Sequence, residues 1–318
     1  MVISVILPLV LLTLIGYFSA KLKLVERSHI AALSNFVIKI SLPAFLLYAL
    51  ADKDIYALWQ PSYFLAYGLA SLLLFGAAFF MFRHYFQMSM THSAVMSMGA
   101  SMSNTGFIGT AILTMLIGSH AAIYISLTLL VENLMIVVLM LCLAEIGLSH
   151  GKSLAEQAQS APSPIQVLLK TLKGVLLHPV IVSIMLGLIC SLMSWQLPEQ
   201  LHKVLTMLGN TAAPIALFVI GASLVGVGLK ALNLGTWLLV SMKVVLMPLL
   251  VFGFLSMLPN VSQEMLYAGT LIAALPMPVS FGIFGQAYGL NEKALTPLML
   301  STIFGFAVIS LLIVQWYS

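Results

Sequence analysis

Charge is what this sequence has least of. Only 7% of its 318 residues are Asp, Glu, Lys or Arg, whereas 61% are hydrophobic and the mean hydropathy is +1.11. Such a chain has too little polar surface to cover a soluble globule, which leaves an integral membrane protein. Cysteine is scarce as well. Cys142 and Cys190 are the only two, both in apolar runs, and the topology derived below sends them toward opposite faces of the bilayer, so neither a disulfide nor a metal site is expected. The only aspartates, Asp52 and Asp54, fall in a short loop. No Ser-His-Asp, His-Glu-x-x-His or phosphate-loop pattern occurs, so an enzyme would have no nucleophile, base or metal, and no cofactor is expected. The formal charge of +4 is scattered over short loops rather than gathered in a patch, which speaks for a topology signal and against a nucleic-acid partner.

What is present is a series of apolar runs of about 20 residues, the length an α-helix needs to cross about 30 Å of hydrocarbon. The fold class is therefore all-α integral membrane, with ten transmembrane spans placed near 2–21, 31–51, 63–83, 91–117, 120–146, 173–194, 203–225, 235–256, 262–288 and 293–316. The first follows Met1 with no basic region before it and no small-residue cleavage site after it, and is expected to be a retained helix rather than a signal peptide. A single polar linker, 147–163, divides the chain five spans from five, and 164–172 reads as an interfacial lead-in. The domains expected are thus 1–146, the linker region 147–172, and 173–318.

The two halves correspond. At one gapless offset Pro8 meets Pro179, Gly16 meets Gly187, Pro43 meets Pro214 and Gly118 meets Gly289. Five spans is an odd number, so the second half enters the membrane in the opposite direction: an inverted repeat, a common ground plan of secondary transporters. With the N-terminus outside, the inward loops hold Lys21, Lys23, Arg27, Arg83, Lys152, Lys170, Lys173, Lys230 and Lys293, against Lys53 and Lys203 outside. By the positive-inside rule both termini should lie outside and the linker in the cytoplasm. Lys39 and Lys243 remain, inside the membrane.

The fourth and ninth spans are overlong and interrupted, by Ser103-Asn104-Thr105-Gly106-Phe107-Ile108-Gly109 and by Ala274-Leu275-Pro276-Met277-Pro278-Val279-Ser280, and the two interruptions coincide in the repeat. A helix broken at membrane depth has backbone groups without partners, tolerated only where protein or a polar cavity satisfies them. Each break should leave a second half-helix whose free N–H groups and positive dipole end face the membrane centre, near Gly109 in one repeat and Val279 to Phe281 in the other. Two such ends favour an anion. Ser103, Asn104 and Thr105 add side-chain donors and acceptors, and Pro276 and Pro278 free carbonyls one turn earlier. The substrate-binding candidates are accordingly Ser103, Asn104, Thr105, Gly106 and Gly109 with Pro276, Met277, Pro278, Val279 and Ser280.

Lys39 and Asn210 are symmetry mates, each four residues before a repeat-matched proline, and join the candidates at the cavity, with local satisfaction of the kink as the alternative. Glu132 is the one acid deep in the membrane, next to Asn133. Unpaired, it would carry a proton; paired with Lys39 or Lys243, it would stay charged and organise the site. Glu132 and Asn133 are therefore coupling or site-organising candidates. Lys243 has a weaker claim because its repeat mate, Leu72, is apolar. Six of the histidines lie near span ends, where interfacial roles suffice, and His178 precedes Pro179 as a kink residue. Gly285 and Gly289 have the spacing of close helix packing.

Pro8 with Gly16-Tyr17, Leu33-Ser34-Asn35 followed by Leu42-Pro43, Asn104-Thr105-Gly106-Phe107-Ile108-Gly109, and Leu275-Pro276 together resemble the auxin efflux carrier family, in particular its short bacterial members associated with malonate and other organic acids. The likeness runs over the whole chain. It implies ten helices in two inverted five-helix repeats with the fourth and ninth helices broken and crossing, an elevator-like alternation of access, and a small carboxylate or auxin-like acid as substrate. It leaves proton or sodium coupling and a homodimer open, and it places the protein in the bacterial inner membrane with the lipid bilayer around it. The sequence departs from the family habit of a proline shortly after Asn-Thr-Gly-Phe, having Gly109-Thr110-Ala111. The competing readings are a sodium- or proton-coupled cation transporter, which would need acidic ligands at the crossing, a channel, or a non-transporting membrane sensor.

Overall fold

The computed structural model describes residues 2–51, 60–156, 177, 179–223, 225 and 232–317. Asp52 and Asp54, the linker from residue 157 onward, the lead-in at 164–172 and His178 lie outside the described residues, while 147–156 of the linker continue the helix that begins before it. Within them all regular structure is helical, in twelve helices among the described residues. These are α1 (Val2–Lys21), α2 (Arg27–Phe36, then Val37–Ser41 and Leu42–Ala51), α3 (Pro61–Phe80 with Met81–Tyr85) and α4 (Met90–Ser101). After a short break come α5 (Thr110–Ile117, entered through Thr105–Gly109) and α6 (Ala121–Leu130, Val131–Val137 and Val138–Glu156). The second half holds α7 (Pro179–Leu192), α8 (Glu199–Asn210 and Ala212–Ser223) and α9 (Leu234–Ser241, Met242–Leu246 and Met247–Met257). It closes with α10 (Gln263–Ala274), α11 (Val279–Ala287) and α12 (Glu292–Tyr317).

Seven helical stretches among the described residues are long and apolar enough to cross a membrane, Gln263–Ala287 being taken across its break, and Leu11–Lys21 and Pro179–Leu192 are shorter apolar helices. Their starts follow ordinary capping chemistry. Ser89 accepts from the His92 N–H, Asn233 from Thr236 and Ser262 from Met265, while Pro61 occupies the first turn of α3, where its missing N–H costs nothing. α3 shows what surrounds the bundle. Tyr63, Tyr67, Ala70 and Leu74 are buried on one face, while Leu65, Leu69 and Leu73 on the other are half exposed, an apolar outer surface suited to hydrocarbon rather than water.

The helices pack in two groups. α1 lies along the second part of α8, α7 along the last part of α2 (Leu42–Ala51), and α2 against the first part of α8. The other group joins α3, α4, α6, α9, α10 and α12, with α11 on α4 and α12. Small residues permit the closest approaches in the first group. A methyl at Gly16 would collide with the Phe218 carbonyl oxygen, and one at Gly187 would sit 2.9 Å from the carbonyl oxygen of Leu47. Ser41 and Thr211, beside the kinks of α2 and α8, exchange a hydroxyl hydrogen bond of 2.7 Å. Prolines account for several irregular turns. Pro43 and Pro248 each follow a π-helical turn, Val37–Ser41 and Met242–Leu246, in which the backbone bonding slips by one residue.

Candidate functional site

The two interruptions meet. α4 ends at Ser101, Met102 turns extended (φ −119°, ψ 152°), and the Asn104 N–H donates across to the Pro276 carbonyl at 2.9 Å. Winding resumes at Thr105, four residues before the expected start near Gly109. The Asn104 carbonyl accepts from both Ile108 and Gly109 N–H groups, so a π-helical turn begins the half-helix without any proline. Gly109 instead serves the crossing itself, since a methyl there would lie 2.8 Å from Leu275 Cδ1. The second break falls where expected. α10 ends at Ala274, Leu275 is extended, and α11 starts at Val279 with Pro278 as its cap.

A break strands particular backbone groups, and the site is built by what satisfies them. In an unbroken helix the Ser103 N–H would reach the Gly99 carbonyl; here it donates to Glu132 Oε1 at 2.7 Å. The Ala273 carbonyl would accept from Met277, but the Met277 N–H turns to Ser301 Oγ at 3.2 Å and Lys243 Nζ takes its place at 2.7 Å. An acid thus holds the orphaned donor of one break and a base the orphaned acceptor of the other. Ser103 connects them, because its hydroxyl accepts from Lys243 Nζ at 2.7 Å while its N–H binds the carboxylate. Tyr67 donates to Glu132 Oε1 at 3.2 Å and lies 3.1 Å from Ser103 Oγ, and Thr105 Oγ1 donates to Glu132 Oε2 at 3.0 Å. Both carboxylate oxygens of Glu132 are thus engaged. Among the described residues Glu132 and Lys243 are the fully buried charged side chains, at 1% and 0% exposure.

In front of this network a narrow cavity of about 50 Å³ is lined by Ser103, Asn104, Thr105 and Gly106 from one break, by Pro278, Val279 and Ser280 from the other, and by Glu132 and Asn133. Phe45 and Ala216, from α2 and α8, close its opposite wall, so the cavity lies between the two helix groups. A second, apolar cavity of about 270 Å³ shares Asn104 and Val279 with it and includes Met277. Among the described residues the Asn104 side-chain amide makes no hydrogen bond, and Asn104 lines both cavities. Asn133 is held by the Leu129 carbonyl at 2.7 Å.

Nine of the fourteen residues expected at the site line the first cavity, and Pro276, Met277 and Gly109 form the crossing behind them. Lys39 and Asn210 are not brought there. Lys39 is exposed on the outer side of its π-helical turn, and Asn210 is exposed and accepts from Tyr48 OH at 3.1 Å, so neither lines the cavity. Position along a span does not set the direction in which a helix face points. The partner of Glu132 is Lys243, through Ser103, and not Lys39. The apolar repeat mate of Lys243 gives no hint of its role; the signal in the sequence is that it is a lysine inside a span of a chain whose one deep acid, Glu132, needs a counter-charge.

Comparison with known proteins gives the family of the chain. The family model described as "Membrane transport protein" matches residues 1–314. A protein of Rhizobium meliloti (strain 1021) named "Putative malonate transporter" is 23% identical over 96% of this chain and 93% of its own length. An Escherichia coli (strain K12) protein named "Uncharacterized transporter YfdV" is 22% identical over 95% of this chain and 93% of its own length, as is its Shigella flexneri counterpart.

Proposed function

Because the chain belongs to the membrane transport protein family, a family of multi-pass transporters and not enzymes, we propose that it is a secondary active carrier of a small organic anion, a mono- or dicarboxylate such as malonate. The observation that carries this reading is the unbonded Asn104 amide, set where the half-helices beginning at Thr105 and Val279 converge on one cavity. Each half-helix N-terminus carries about half a positive charge. Glu132 and Lys243 cancel, so these ends set the sign of the field, and a carboxylate fits both the field and the amide. Asn104, Thr105, Gly106, Val279 and Ser280 bind it, while Glu132 and Asn133 hold the break in shape.

The same reading carries the architecture. Ten spans in two inverted repeats, 1–146 and 173–318, are supported by paired packing at the repeat offset: Gly16 and Gly187 correspond, and so do the residues whose carbonyls they face, Phe218 and Leu47. An elevator motion would carry the group holding both breaks past the α1, α2, α7 and α8 group, exposing the cavity alternately to each side of the bacterial inner membrane. Both termini then lie outside and the linker at 147–172 in the cytoplasm. The test is uptake into proteoliposomes of labelled malonate, malate, oxalate, an indole carboxylate and sodium, with and without a pH gradient. Saturable uptake of one carboxylate is expected; cation flux without anion movement overturns the reading.

A further inference from the structure

Lys243 is held by oxygen atoms of the kinds that bind a metal cation. Its ammonium touches the Ser103 hydroxyl and the Ala273 carbonyl, and the Glu132 carboxylate is one hydrogen bond further on, so oxygen donors from the first break, from the C-terminal end of α10 and from α6 gather about one positive charge. Carbonyls released at half-helix C-termini, together with hydroxyl and carboxylate oxygens, are the donor set with which broken-helix transporters hold sodium. We propose that Lys243 is a built-in cation: it occupies the place of a coupling sodium ion behind the crossing, so the protein assembles its anion site without binding a metal.

The charges require something there. Glu132 contributes one full negative charge, and two half-helix ends together return about one positive charge, which would leave the cavity without preference for an anion. The lysine restores the positive sign. A tethered ammonium also cannot dissociate, so the site remains anion-selective throughout the transport cycle, and an ion gradient of sodium does no work on it. This inference uses the proposed anion site only for its consequence; its test uses neither substrate nor transport.

The purified full-length protein is melted in choline, sodium, potassium and methylammonium chlorides at matched ionic strength. Wild type is expected to have one midpoint in all four salts. Lys243→Ala is expected to melt lower in choline and to rise saturably with sodium or methylammonium, which enter the vacated place. Adding Glu132→Gln to that variant is expected to abolish the rise. A sodium-dependent midpoint in wild type overturns the proposal, and so does a folded Lys243→Ala indifferent to every cation. Should Lys243→Ala yield no folded protein, Glu132→Gln/Lys243→Met decides: recovery of folded material supports a charge-balancing lysine, and failure of the neutral pair to fold overturns it. Absence of carboxylate uptake by wild type would defeat the carrier reading and leave these melting outcomes unchanged.

Discussion

At the scale of single residues, main-chain and side-chain roles at the crossing separate cleanly. Asn104 ties the breaks through its N–H and starts its own half-helix through its carbonyl, while its side-chain amide takes part in neither. Asn104→Ala is therefore expected to abolish carboxylate binding in calorimetry while the protein keeps its melting midpoint; retained binding would move the site elsewhere. Tyr67→Phe removes only long bonds to Glu132 and Ser103 at 3.2 and 3.1 Å, and is expected to cost about 1 kcal/mol, read as a modest fall in thermal stability with binding preserved. Legibility differed sharply among these residues. Asn104, Thr105 and the prolines stood out because polar or helix-breaking residues in an apolar run must be accommodated. Lys39 stood out for the same reason, yet faces outward, and Lys243 was discounted by a symmetry argument that its partner, Glu132, does not obey.

At the scale of elements, hydrophobic run length located the helices and breaks well, because the cost of an unsatisfied peptide group in hydrocarbon leaves few alternatives. Where winding resumes was less legible. The four-residue difference at α5 arises from a bifurcated acceptance at the Asn104 carbonyl, a local bonding choice that hydropathy does not encode. Helix contacts were legible only as glycine positions, and the structure supplies their partners. Gly16→Val is expected to force α1 from α8 by collision with the Phe218 carbonyl, with a loss of roughly 1–3 kcal/mol and a clear fall in melting midpoint. Gly76→Val, where an added methyl meets nothing within 4 Å, should leave the midpoint unchanged and is the control.

At the scale of the whole molecule, the two helix groups touch at the cavity, and the elevator reading requires that contact to slide. A methyl at Gly282 in α11 would come within 3.2 Å of Ile220 in α8, across that boundary, whereas Ser41 and Thr211 lie within one group. In a background lacking Cys142 and Cys190, a short thiol crosslinker applied to Ile220→Cys/Gly282→Cys is expected to stop uptake, and the same reagent on Ser41→Cys/Thr211→Cys to leave it intact. Undiminished uptake in the first pair would rule out relative motion at this seam.

The bond from the Asn104 N–H to the Pro276 carbonyl joins main chain to main chain. No side chain takes part, so among the common replacements at position 104 only proline deletes it outright. Descendants of such a sequence can exchange the asparagine amide for another group, and with it the cargo recognised, while inheriting an undisturbed crossing: the framework is indifferent to the identity of the residue that does the selecting.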